Sequence, residues 1–135
     1  MIFGVGTDIL ETKRLSKIIN KYDKKFIHRI YGSNEISIIR NKKKNLDNFL
    51  SKRFAAKEAT WKAFNPKRGI GLIYKEIETV NDKNGKPFLI FSGKTERYIE
   101  ELEKKLKAKL KFDISLSDER KYVIAFVVIS LAPFD

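Results

Sequence analysis

A segment near the middle of the chain carries charged residues whose types and spacing suit chemistry. The segment from Phe49 to Phe64, FLSKRFAAKEATWKAF, contains neither proline nor glycine, which predicts a helix. At about 100° per residue, Glu58 and Lys62 lie one turn apart on the same side of that helix. They either form an ordinary surface ion pair in the favoured orientation or belong to a site. The helix alone does not decide between the two.

Two basic residues fall inside the apolar sector of the same helix. With Arg53 placed at 0°, the core positions lie between about 20° and 100°, and Lys57 falls among them at about 40°. Charged residues are rarely buried without a partner, so these two need an explanation. Either an anionic ligand reaches over the helix, or both side chains extend to solvent along their alkyl stems.

The N-terminal segment places a carboxylate beside two glycines. Residues Ile2 to Leu10 alternate around Gly4 and Gly6 and predict a strand, with Asp8 near its end. The glycines are not a dinucleotide-binding fingerprint, because the third glycine is missing. They indicate instead that another backbone or a ligand approaches closely. Asp8 by itself is either a cap for the next helix or a site carboxylate.

The other elements follow from periodicity and turn signals. Residues 122–131 are almost continuously apolar, which predicts a strand covered on both faces. Asn84-Gly85 favours a hairpin with a type I′ turn, and the basic loop over residues 67–71 is a candidate for phosphate contact. The predicted class is α+β, one domain over residues 1–135, with a small antiparallel sheet packed on the long central helix. Further helices are predicted over 11–20, 25–30, 33–42 and 95–109, and further strands over 72–80, 86–91 and 112–116.

Composition narrows the partner class. The 135 residues include 29 Lys and Arg against 17 Asp and Glu, a net charge of +12 that favours an acidic partner. The absence of cysteine excludes disulfides and a thiol nucleophile. We see no signal peptide, and the longest apolar run is far shorter than the roughly 18 residues of a membrane span. The expected location is therefore the cytoplasm.

Three segments together resemble one family. They are GVGTDIL with Arg14 following, RFAAKEATWKAF, and ISLSDERKYVIAFVVI, and the NGKP of the hairpin also matches. They resemble the bacterial holo-acyl-carrier-protein synthase family, the small type of 4′-phosphopantetheinyl transferase. The resemblance covers essentially the whole chain. It implies that the phosphopantetheine arm of coenzyme A is transferred to a serine of an acidic acyl carrier protein for fatty acid biosynthesis, with Mg²⁺ required and adenosine 3′,5′-bisphosphate released.

The resemblance also implies roles for individual residues. Asp8 and Glu58 would hold Mg²⁺, which prefers hard oxygen ligands. Glu58 and Lys62 would be the catalytic residues, with Lys62 stabilising charge in the transition state. The residues implied to bind coenzyme A are Arg53, Lys57 and Lys62.

Two further implications concern partners. Arg14 matches a family arginine that docks the acidic helix of the carrier protein, and family members form trimers with sites at the subunit interfaces.

The chain departs from the family pattern at one position, where it has Asp113 and the family usually has histidine. An aspartate repels phosphate, so either Asp113 turns away from coenzyme A or that corner of the site differs. The proton acceptor is then either a metal-bound water or Glu58 acting through such a water.

Two alternative functions stay open at this point. A basic nucleic-acid-binding module would account for the charge but not for Asp8, Glu58 and the glycines. A lapsed transferase that only binds carrier protein is suggested by Asp113. The presence of Asp8, Glu58 and Lys62 argues against it.

Overall fold

A computed structural model describes residues 1–42, 44–66 and 71–134. The long helix runs through the centre of the fold and packs against a three-stranded antiparallel sheet, which confirms the predicted α+β class. A two-stranded hairpin and three further helices surround this pair among the described residues. In chain order the elements are β1 (Ile2–Glu11), α1 (Thr12–Ile30), α2 (Ser33–Asn41), α3 (Leu46–Phe64), a 3₁₀ turn (Tyr74–Glu76), β2 (Ile77–Asn81), β3 (Pro87–Phe91), α4 (Gly93–Leu106), β4 (Lys109–Glu119) and β5 (Tyr122–Ala132).

The two N-terminal glycines let α3 lie directly on β1. A Cβ atom on Gly4 would lie 2.0 Å from the carbonyl oxygen of Ala63, and one on Gly6 would lie 1.8 Å from that of Ala59. Both distances are far below van der Waals contact, so of the two predicted close neighbours, a backbone or a ligand, the structure shows a backbone. Because strand side chains alternate, Asp8 shares the face of Gly4 and Gly6 and so points toward α3. The close packing of β1 on α3 therefore also brings Asp8 next to α3.

The sheet has one buried and one exposed face, and here one prediction was wrong. The strands lie in the order β1-β5-β4. On β5, Val123 and Val127 are fully buried beneath α3, whereas Ile124 and Phe126 keep 42% and 45% of their surface exposed. Helix α3 covers only one side of the sheet, so within a single chain the apolar run of β5 is not covered on both faces. The exposed face, here called the outer sheet face, consists of Val5, Ile9, Tyr122, Ile124 and Phe126.

Three local predictions also need correction. The two helices predicted over 11–30 form a single helix, α1, since no glycine or proline interrupts the segment. The strand predicted over 72–80 begins only at Ile77, because the preceding residues form the 3₁₀ turn and Glu76 accepts hydrogen bonds from the first backbone N–H groups of α4. In the hairpin only Gly85 has positive φ, so the turn is not type I′, which requires positive φ at two residues. None of the described helices is long and apolar enough to span a bilayer.

Candidate active site

Asp8 and Lys62 meet where β1 passes α3. The ammonium of Lys62 lies 3.3 Å from a carboxylate oxygen of Asp8 and donates a 3.0 Å hydrogen bond to the carbonyl of Thr7. The Asp8 side chain is only 17% exposed, whereas that of Lys62 is 52% exposed. Of the two alternatives for Lys62, the ion pair with Glu58 along the helix is not the one observed, because Lys62 pairs across to Asp8 on the strand.

Asp8 and Glu58 face one cleft. The cleft has a volume of about 270 Å³ and lies between β1, the start of α1 and the middle of α3. Arg14 lines the same cleft from α1. The structure thus brings Glu58 together with Asp8 and Arg14, which lie more than 40 residues earlier in the sequence. The cleft is lined by Asp8, Ile9, Leu10, Arg14, Leu15, Ile18, Phe54 and Glu58.

The oxygen donors of this cleft fit Mg²⁺. Magnesium sites commonly use one or two protein carboxylates and complete the octahedron with phosphate oxygens and water. Asp8 and Glu58 supply two carboxylates. Within the described ranges no group of three or more His, Cys, Asp or Glu side chains is arranged to hold a metal ion, so the protein would not enclose the cation by itself. Such an open donor set suits a cation that arrives with a phosphorylated substrate.

Tyr74 is a residue of this site that the sequence analysis missed. Its ring packs against Phe54 and Trp61, on the face of α3 that carries Glu58. The pKa of Tyr74 is raised above its usual range by burial, then by the hydrogen bond and charge of Glu58, and by the charge of Asp8. Assignment of residues 72–80 to one strand concealed it, because strand alternation does not show which side chain a 3₁₀ turn directs at a helix.

Lys57 has a role inside the protein. Its ammonium is fully buried and donates to Glu35 at 2.6 Å, to the carbonyl of Tyr74 at 3.1 Å and to the carbonyl of Ile77. These bonds use all three of its protons. The implied contact of Lys57 with coenzyme A does not fit this arrangement, because no ammonium proton remains for a phosphate. Burial raises the pKa of Glu35 and lowers the pKa of Lys57, and the attraction between the two groups opposes both shifts.

Arg53 is also buried, but part of its guanidinium lacks a partner. It stacks over the ring of Phe49 at 3.9 Å and is 5% exposed. Its Nε atom makes no hydrogen bond, and no carboxylate of the described residues lies within 4.0 Å. Burial lowers the pKa of Arg53, partly offset by the charge of Glu35. The suggestion that Arg53 and Lys57 extend to solvent was therefore wrong for both.

Glu35 explains why Lys57 can be buried among core residues. It is fully buried at the start of α2, accepts hydrogen bonds from the backbone N–H groups of Gly32 and Thr79, and pairs with Lys57. The local signal for it was weak. A glutamate three residues after Gly32 at the start of a helix is typical of a cap, and this one also reaches another helix.

Asp113 does not reach the cleft of its own chain. Pairing through β5 places Asp113 opposite Val128 and thereby beside Val5, an odd number of residues from Asp8. It therefore lies on the opposite face of the sheet from Asp8. Its side chain is 53% exposed and lies 3.9 Å from the ammonium of Lys111. Most of the basic loop predicted to contact phosphate, residues 67–70, lies outside the described residues.

Two carboxylates that line one cleft, one of them paired with an ammonium, suit an enzyme that acts on phosphate groups with a divalent cation. Comparison with known proteins identifies the family. The model of the 4′-phosphopantetheinyl transferase superfamily matches residues 4–127. The chain belongs to this superfamily.

Individual relatives match over almost their whole length. A holo-[acyl-carrier-protein] synthase of Orientia tsutsugamushi (strain Boryong) is 43% identical, with 96% of this chain and 98% of the relative covered. The holo-[acyl-carrier-protein] synthase structure from Neisseria meningitidis has a TM-score of 0.84 at 33% identity and covers 96% and 99% of the two chains. The Bacillus anthracis synthase, solved in complex with coenzyme A (3′,5′-ADP), has a TM-score of 0.75 at 32% identity, with 98% of each chain covered.

Proposed function

We propose that this protein is a holo-acyl-carrier-protein synthase. It transfers the 4′-phosphopantetheine group of coenzyme A to a serine hydroxyl of apo acyl carrier protein and releases adenosine 3′,5′-bisphosphate. The observation that carries the proposal is the convergence of Asp8 and Glu58 on one cleft in a chain that matches proteins of this name over nearly its whole length. We place the reaction in the cytoplasm, where it supports fatty acid biosynthesis, and propose that residues 1–135 act as one domain.

Asp8 and Glu58 would hold the Mg²⁺ that we propose as cofactor. When bound, Mg²⁺ would neutralise charge on the diphosphate of coenzyme A and on the bisphosphate leaving group. Glu58 is the carboxylate of the cleft that no lysine ammonium pairs with among the described residues. We propose that Glu58 accepts the proton of the serine hydroxyl through a water molecule while the serine oxygen attacks phosphorus.

Lys62 would bind the diphosphate at the mouth of the cleft. Two of its protons are used by Thr7 and Asp8, which leaves one for a phosphate oxygen. An ammonium at this position stabilises the negative charge that develops as the bond to the leaving phosphate breaks. Arg53 remains a proposed contact of coenzyme A, supported by a guanidinium that has no carboxylate partner among the described residues.

Arg14 would dock the carrier protein. It lines the active-site cleft from the exposed side of α1, where the helix carries a row of exposed basic residues. This row suits an acidic partner by charge. It consists of Lys13, Arg14, Lys17, Lys21, Lys24, Lys25 and Arg29.

Arg14→Ala should raise the KM for acyl carrier protein by roughly tenfold, with a smaller change in the KM for coenzyme A, because one interfacial charge pair is worth about 1–2 kcal/mol. Steady-state kinetics at two salt concentrations measures this. Lys105→Ala, which removes an equal charge from the exposed side of α4, is the control. Equal KM values for Arg14→Ala and the control would refute the docking role.

We also propose that the protein is a homotrimer assembled through the outer sheet face. Exposed apolar patches of this kind mark interaction surfaces. Val5 and Ile9 are 53% and 64% exposed, next to Ile124 and Phe126. Asp113 lies on this face, so assembly would bring it to the neighbouring subunit rather than to its own cleft.

Phe126→Lys should convert the assembly to monomers, because a buried unpaired ammonium at the interface costs several kcal/mol. Sedimentation velocity measures the species present. Phe88→Lys, on the hairpin, removes a ring of similar exposure (43%) and should leave the assembly intact. A wild-type protein that sediments as a monomer would refute the trimer.

The test of the function is intact-mass analysis of apo acyl carrier protein incubated with coenzyme A, this protein, and either Mg²⁺ or a chelator. A Mg²⁺-dependent gain of one phosphopantetheine arm is the expected result. No gain with carrier-protein binding intact would favour the lapsed transferase. Neither gain nor binding, together with salt-sensitive binding of DNA or RNA, would favour the nucleic-acid-binding module.

A further inference from the structure

The ring of Tyr74 is fixed against α3 beside Glu58. It contacts Phe54, one turn before Glu58, at a centroid distance of 6.1 Å, and Trp61, almost one turn after it, at 5.9 Å. Both contacts are nearly perpendicular, with interplanar angles of 88° and 85°, the edge-to-face geometry that aromatic rings favour. The two rings bracket Glu58 along the helix, so Tyr74 lies over the segment that carries this carboxylate.

The backbone of Tyr74 is tied to the same helix from inside. Lys57, the residue before Glu58, donates hydrogen bonds to the carbonyls of Tyr74 and Ile77. Glu35 holds the ammonium of Lys57 at 2.6 Å, and neither side chain has more than 1% exposure. The 3₁₀ turn is therefore clamped to α3 one residue away from Glu58.

The hydroxyl of Tyr74 completes this arrangement. The ring of Tyr74 packs on the face of α3 that carries Glu58, and the hydroxyl is close enough to interact with the Glu58 carboxylate. A phenol is protonated near neutral pH, so beside a carboxylate it donates the hydrogen bond. Asp8 has its own partner in Lys62, so each carboxylate of the cleft is oriented by a different donor.

We propose that Tyr74 is a positioning residue that holds the Glu58 carboxylate in the orientation that receives the divalent cation. A neutral donor orients a ligand without the positive charge that would oppose a cation. Such outer partners typically contribute 10–100-fold to metal affinity. The proposal rests on the proposed function, because it assigns Glu58 to a metal site.

Tyr74→Phe tests it, since this change removes the hydroxyl and keeps the ring between Phe54 and Trp61. We expect Mn²⁺, titrated by electron paramagnetic resonance with saturating coenzyme A and no carrier protein, to bind about 10–100-fold more weakly. In turnover assays the Mg²⁺ concentration for half-maximal rate should rise by a similar factor, with kcat at saturating Mg²⁺ and the unfolding midpoint little changed. The matched control is Tyr98→Phe on α4, whose ring packs on Phe64.

The outcomes separate this proposal from the function. Unchanged Mn²⁺ affinity in Tyr74→Phe, with affinity lost in Glu58→Gln, would overturn the positioning role and leave the metal site in place. An equal loss of affinity in Tyr98→Phe would point to general loosening and would also overturn it. A wild-type protein that transfers phosphopantetheine but binds no Mn²⁺ would remove the metal assignment of Glu58 and this proposal with it.

Discussion

Glu58→Gln is expected to lower turnover by about 10³-fold or more. The amide keeps the size of the side chain but removes the negative charge that would hold the cation and accept the serine proton. Charge stabilisation by a metal contributes several kcal/mol, and about 4 kcal/mol corresponds to roughly 10³ in rate. Asp8→Asn should have a comparable effect, because both carboxylates line the same cleft. The measurement is the initial rate of holo acyl carrier protein formation over a range of Mg²⁺ concentrations.

The control for Glu58→Gln is Glu101→Gln, which makes the same chemical change at an exposed position of α4. This variant should match the wild type, and all three variants should unfold at similar denaturant concentrations. If Glu58→Gln retained normal activity, the assignment of Glu58 to metal and proton would have to be abandoned. If it lost activity but kept its Mn²⁺ affinity, only the proton role would survive.

The sequence predicted the site best where local rules determine it. Gly4 and Gly6 indicated close contact with another backbone or a ligand, and the structure shows the backbone of α3 there. Their alternation with Asp8 places that carboxylate on the same face. The resemblance to the family pointed to Glu58 and Lys62 on the helix. In the structure Asp8 and Glu58 line one cleft, and Lys62 pairs with Asp8. Their roles stay predictions until the variants are measured.

What the sequence did not predict depends on contacts between distant elements. The helical wheel placed Arg53 and Lys57 correctly among core positions, but no periodicity indicates that Lys57 pairs with Glu35, 22 residues earlier. The same holds for β5. Its apolar run suits a doubly covered strand, and only the position of α3 on one side shows that Ile124 and Phe126 are exposed in a single chain. A buried pair and an uncovered face are both properties of the assembled fold.

Lys57→Met should destabilise the protein by about 3–5 kcal/mol, because it leaves the buried carboxylate of Glu35 without its counter-charge. The carbonyls of Tyr74 and Ile77 would also lose their donor. Denaturant unfolding measures the loss. Lys52→Met on the same helix removes only a partly exposed ion pair with Asp118 and should cost less than about 1 kcal/mol.

A second substitution distinguishes the effect of an uncompensated charge on Glu35 from the loss of the backbone hydrogen bonds of Lys57. Glu35→Gln removes the buried charge while its amide oxygen still accepts a hydrogen bond from the backbone of Gly32 or Thr79. If the charge dominates, adding Glu35→Gln to Lys57→Met should restore part of the lost stability, giving a coupling energy of about 1–3 kcal/mol. Strictly additive effects would show that Lys57 stabilises the fold through its backbone hydrogen bonds alone. Because those bonds hold the turn of Tyr74, the double variant should recover stability without recovering the full Mg²⁺ affinity of the wild type.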